Sequence, residues 1–188
     1  MHDVQLNVIR RGSGSPIVFL HGLGMSGATW DAVTERLADR HTVLAVDLPG
    51  HGRSAGEALT SIEDMADWLA DFVTTAGLKP AHLVGHSMGG VVILHYLVHL
   101  HDPADPTLPP IDHVVTLNSP HTGADLAGAA QSVLRRRNSS ALTGTVAALG
   151  GPNGEGQALA DLAPGSDLLV DQQQAWRDAA GDRFAGAN

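Results

Sequence analysis

Four short apolar runs most constrain what this chain can fold into: Ile17-Val18-Phe19-Leu20, Thr42 to Val46, His82-Leu83-Val84 and Val114-Val115-Thr116-Leu117. They lack the alternation of a strand with one wet face, and so fit strands buried on both sides, as in a parallel sheet. Helical spacing fills the gaps between them. Trp30, Val33 and Leu37 recur through TWDAVTERLADR, and Ile62, Met65, Leu69, Phe72 and Val73 share one face of a later segment. Thr60-Ser61-Ile62-Glu63 reads as a capping box before that second helix, and Gly77 stands where a helix end wants positive φ. Gly90 to Leu100 is nearly all apolar and predicts a helix buried against the sheet. A further short strand, half exposed, is expected from the alternation over Val4 to Ile9. Alternating strands and helices predict an α/β fold with right-handed crossovers and a mostly parallel sheet flanked by helices.

Beyond Pro120 the pattern weakens, because Ala, Gly, Ser and Gln dominate and no comparable strand follows. Leu126 to Leu134 and Ala158 to Leu162 read as short amphipathic helices, with a flexible break at Gly150-Gly151-Pro152-Asn153-Gly154. The chain of 188 residues is the size of one domain. Its expected organisation is a core over residues 1–121 and a lid-like or helical excursion over residues 122–188.

A formal charge of -9 argues against a nucleic-acid or anionic-membrane surface, since phosphates would repel it. The one basic run, Arg135-Arg136-Arg137, reads as a solvated helix face or end. With no cysteine, disulfides, thiolate metal sites and cysteine nucleophiles are excluded together. No apolar stretch has the length of a membrane span, and the first residues show no export signal, which leaves a soluble, cytoplasmic protein as the expectation.

The chemistry sits in LVGHSMGGVV, where Gly85-His86-Ser87-Met88-Gly89 places a serine between an apolar strand and a helix. A serine hydroxyl reacts poorly at neutral pH, so its surroundings must present it and aim donors at the oxyanion that forms. A strained strand-to-helix turn does the first, and glycines on either side remove Cβ atoms that would collide there. The N–H of Met88, at the helix N-terminus, serves the second. Two further motifs follow strands in order: HGLGMSG from His21, and DLPGHGRS from Asp47.

These three motifs, together with VVTLNSPHTGAD, resemble the α/β-hydrolase family, and the last piece is similar to its lipase and esterase members. The likeness covers roughly residues 4 to 126. It implies a serine ester hydrolase working without cofactor or metal on a small-molecule ester or lipid. Ser87 would be the nucleophile, Leu23 and Met88 would be backbone oxyanion donors, and their side chains would line the acyl pocket. His21, His86 and His121 are candidate pocket-lining residues.

The implied triad runs Ser, then Asp or Glu, then His along the chain. The last histidine here is His121, directly after the strand Val114 to Leu117. The triad acid and base are therefore unassigned. Three readings stay open: a C-terminally truncated hydrolase, an unusual base such as His121, or a noncatalytic binding module that keeps the serine turn. Neither Asn118 nor Ser119 can supply an acid. The tail aspartates Asp125, Asp161, Asp167, Asp171, Asp178 and Asp182 have no partner histidine in the expected order. His95, His99 and His101 could share a metal only with a further ligand that the sequence does not indicate, so no metal is expected. A truncated sheet would expose an apolar edge and so favour self-association.

Overall fold

A computed structural model describes residues 5–123 and 160–184. The apolar runs form the centre of a five-stranded sheet: β1 (Val8–Arg11), β2 (Ser15–Leu20), β3 (His41–Val46), β4 (Ala81–His86) and β5 (Ile111–Leu117). Their spatial order is β1-β3-β2-β4-β5. All neighbours are parallel except β1, which pairs antiparallel with β3. A mostly parallel sheet flanked by helices is thus what the chain forms.

The first strand lies later than the alternation suggests. Residues 5–7 are taken up by the loop after β3 instead: Asp47 N–H donates to Asn7 O, Ala55 N–H to Gln5 O, and Asn7 N–H to Ser54 Oγ. The first helical segment also departs from expectation. It opens as a 3-10 turn (Gly27–Trp30) and continues as α1 (Asp31–Leu37), with Trp30 buried but Val33 exposed. Thr34 is the buried residue, its hydroxyl donating to Asp31 O and accepting from the Arg11 guanidinium. A hydroxyl whose bonds are met can be buried where apolar spacing points elsewhere.

Helix α2 (Ile62–Thr75) turns Ile62, Met65, Leu69 and Val73 inward, as its spacing predicts. Its box is shifted by one residue. Ser61 is the cap, accepting from Asp64 N–H at 3.0 Å and donating to the Asp64 carboxylate at 2.7 Å. Gly77 follows the helix with φ 63°, as expected. Helix α3 (Met88–His95) continues as a π-turn (Tyr96–Leu100), and its residues Met88 to Ile93 are buried. These helices and strands β2 to β4 enclose the larger apolar cluster, while Phe19, Trp30, Ile17, Val43 and Ala45 form the smaller one on the other face.

The described tail contributes α4 (Asp167–Phe184), a helix the sequence reading did not pick out. It is docked rather than free. Leu162 and Leu169 are buried in the larger cluster, Gln172 donates to Val91 O, and the Asp161 carboxylate accepts Ile62 N–H at the start of α2. A carboxylate there meets both an unpaired N–H and the positive end of the helix dipole. The segments Leu126 to Leu134 and Gly150 to Gly154, and part of Ala158 to Leu162, lie outside the described residues.

Candidate active site

Ser87 is the only residue between β4 and α3, and its backbone takes φ 51° and ψ -121°. Positive φ is uncommon for a residue with a Cβ, and at functional sites such strain is held in place by the surrounding structure. Here the support is visible. Ser87 N–H donates to Leu117 O on β5 at 2.9 Å, and its carbonyl accepts from Gly90 N–H at 3.1 Å. A Cβ on Gly85 would stand 2.5 Å from Gly90 N, and one on Gly89 would stand 2.6 Å from Leu20 O. The turn therefore closes only with glycine at both places.

Above it runs the loop after β2. Gly22 lies against Ser87, since a Cβ there would come within 3.1 Å of the serine Cβ and of His86 Nδ1. His21 anchors this loop from below and is fully buried. Its Nε2 accepts Leu48 N–H at 3.1 Å, which makes Nδ1 the protonated nitrogen and the donor to Gly22 O at 2.8 Å. Burial holds its pKa below the ordinary value, with the nearby His51 acting in the same direction, against the Gly22 bond and Asp47. A neutral, doubly bonded imidazole positions; it is not free to shuttle protons.

Asp47 is the second anchor, and motif spacing alone did not reveal its role. Its carboxylate accepts Gly27 N–H at 2.6 Å, Arg53 N–H at 2.7 Å and the Asn7 amide at 2.9 Å. Burial would raise its pKa, but these bonds outweigh burial and leave the carboxyl below its usual range. One side chain thus ties together the HGLGMSG and DLPGHGRS loops. The available signal was an acid directly at the end of a buried strand.

The other sequence candidates are placed as follows. Leu23 lies on the loop beside Ser87 and packs partly buried against the larger cluster. Met88 opens α3, so its N–H is one of those a helix leaves unpaired, while its side chain is fully buried in the larger cluster. The His86 ring meets Trp30 edge-on, with centroids 6.5 Å apart. The His121 ring is hydrogen-bonded to Thr116 Oγ1 at 3.2 Å, its carbonyl accepts from Gln173, and burial lowers its pKa. Among the described residues no histidine hydrogen-bonds to Ser87. A groove of ≈ 730 Å³ lies elsewhere, against β5 and α4, lined among others by His101, Leu108, Asp112, Val114 and Trp176.

A sequence profile of the alpha/beta hydrolase family matches residues 17–187. The chain belongs to that family. It is 43% identical over 91 residues to pimeloyl-[acyl-carrier protein] methyl ester esterase of Aeromonas hydrophila, a match covering 47% of this chain and 34% of that protein. It is 42% identical over 91 residues to the dihydrolipoyllysine-residue acetyltransferase component of the acetoin cleaving system of Cupriavidus necator, covering 47% of this chain and 24% of the relative. These matches span about a quarter to a third of the relatives' lengths. Among solved structures, an esterase from Exiguobacterium antarcticum superimposes with a TM-score of 0.68 at 20% identity, over 90% of this chain and 72% of that one. At that identity the likeness shows the fold of this alpha/beta hydrolase.

Proposed function

We propose that Ser87 is the nucleophile of a serine ester hydrolase of the esterase or lipase type. The observation that carries the reading is the strained Ser87 backbone, held between β4 and α3 by glycines that admit no Cβ. Ser87 Oγ attacks the ester carbonyl carbon, the carbonyl π electrons move to oxygen, and the oxyanion is met by the N–H groups of Leu23 and Met88. Collapse expels the alkoxide, which leaves as the alcohol with the proton given up by Ser87 Oγ, and the acyl-serine that remains is hydrolysed by water to the acid and free serine. The esterase among the relatives supports an ester substrate.

The engagement of His121 with Thr116 favours a second reading, a catalytically incomplete member that binds its ligand at the serine turn. A fluorophosphonate probe with p-nitrophenyl acetate and butyrate separates the two. Under the first reading the chain labels at Ser87 and turns over ester, and Ser87→Ala does neither. Equal labelling of Ser87→Ala overturns the nucleophile assignment; Ser87-dependent labelling without turnover supports the incomplete member.

A further inference from the structure

The opposite end of the sheet carries a second cluster of functional side chains. His82 stands near the start of β4, roughly 16 Å from Ser87 along the strand at ~3.3 Å per residue. Its Nδ1 lies 3.3 Å from Nδ1 of His113 on β5, and its Nε2 lies 2.9 Å from Ser15 Oγ on β2. Asp112 completes the group, with one ligand atom from each of the three residues within 4.8 Å of the others.

Adjacent residues of a regular strand face opposite sides, so Asp112 and His113 would normally diverge. The ladder between β4 and β5 is irregular at this place: Ala81 pairs with Ile111 and His82 with His113, leaving Asp112 as an extra residue. Such a bulge re-aims a side chain, and here it brings a carboxylate to the two imidazoles.

We propose that His82, His113 and Asp112 form a binding site for a late first-row divalent cation such as Zn²⁺. The two Nδ1 atoms are spaced as ligands of one ion would be. Two nitrogens each ~2.05 Å from a tetrahedral metal stand about 3.3 Å apart. In the tautomer whose Nε2–H donates to Ser15 Oγ, the Nδ1 lone pair of His82 is free for an ion, and an outer-shell bond of this kind orients metal-bound histidines. Without metal, the His113 Nδ1–H can donate to that lone pair. Binding then moves this proton to His113 Nε2 by way of solvent, and the ion takes its place at Nδ1. Asp112 is exposed and free to close the remaining distance. Its oxygen and the imidazoles suit Zn²⁺, Ni²⁺ or Cu²⁺ rather than Mg²⁺ or Ca²⁺.

The helical histidines that the sequence pointed to are a weaker set. His99 Nε2 is 3.5 Å from the Asp171 carboxylate, and His101 Nε2 is 3.1 Å from Pro109 O, turned to a different partner. They serve as the internal control.

The test is Zn²⁺ titration of the tag-free, chelator-treated 188-residue chain by calorimetry, with Co²⁺ absorption as a readout of nitrogen and oxygen ligation. The expected result is one ion per chain. His113→Ala, at an exposed position, should fold as the parent does by circular dichroism and weaken Zn²⁺ binding by more than about a hundredfold. Ser15→Ala should weaken it by about tenfold or more, the scale of a lost outer-shell partner. His99→Ala should leave it unchanged. Absence of binding by the parent chain, binding undiminished in folded His113→Ala, or binding lost in His99→Ala would each overturn the assignment.

Discussion

The two neighbours of β4 could hardly differ more. On one side Val18, Phe19 and Leu20 of β2 are at most 1% exposed; on the other, Val114, Val115 and Leu117 of β5 are 39% to 46% exposed. Both strands pair parallel with β4, so the difference lies in what covers their faces and edges. β2 is flanked by β3 and overlaid by the apolar clusters, whereas no described strand pairs with the outer edge of β5. The candidate active site straddles this divide. Gly22, His21 and Asp47, which hold the loop over Ser87, stand on the enclosed side. Leu117 O, the acceptor for Ser87 N–H, stands on the open side. The Ser87 turn is thus held from both sides of β4.

The largest consequence is a contrast in stability. Phe19 fills the smaller cluster against Trp30, with ring centroids 5.0 Å apart. Phe19→Ala should cost about 3–5 kcal/mol, the usual range for emptying a buried aromatic site. Val115→Ala should stay within about 0.5 kcal/mol, as surface substitutions do. Urea denaturation measures both. Similar losses at the two positions would mean that β5 is covered in solution and would dissolve the contrast.

Acid should find the enclosed side first. The pKa of His21 is lowered by burial, so between its folded value and the ordinary histidine value of 6.5 the unfolded chain binds more protons than the folded one. Stability therefore falls as pH drops through 6.5, and this loss ends below the folded pKa. His95 and His121, also lowered by burial, add to the same window. Asp47 has the opposite chemistry with the same sign of effect. Its depressed pKa contributes stability present above 3.8 and lost as pH falls from there toward the folded value. Urea midpoints measured from pH 7.5 down to 3 should decline in two stages. His21→Gln should flatten the upper stage and spare the lower one; an unaltered upper stage would show that His21 is not held neutral by burial.

The sheet was legible in the sequence because continuous apolar runs have few other uses in a chain of this size, and Ser87 was legible because its requirements are local. Gly85, Gly89, a strand before and a helix after all lie within a dozen residues. What stayed hidden depends on register. Asp47 meets Asn7, and Asp161 meets Ile62, only after strands and helices have been placed. His82, Asp112 and His113 come together only because β4 pairs with β5 around a bulge. The burial of Thr34 instead of Val33 is the same lesson at short range, since a hydroxyl satisfied by Arg11 and Asp31 overrides apolar spacing. The helix Asp167–Phe184 escaped notice because its apolar residues are sparse and its docking relies on Gln172 and Gln173 as well as Leu169.

The smallest expected effect on stability is the sharpest probe of the open side. An apolar strand with an unpaired outer edge is a template for another strand, and natural edges of this kind are commonly guarded by charge. Val115 and Leu117 of β5 carry no such guard, while Asp112 and His113 place their polar groups at the far end of the strand. The 188-residue chain should therefore self-associate in sedimentation velocity as its concentration rises. Val115→Lys should shift it toward monomer while changing the urea midpoint little, because the lysine ammonium stays in water and its stem covers the same surface. A parent chain that sediments as monomer throughout would show that exposure of β5 is tolerated without a partner, and the contrast with β2 would then be one of burial alone.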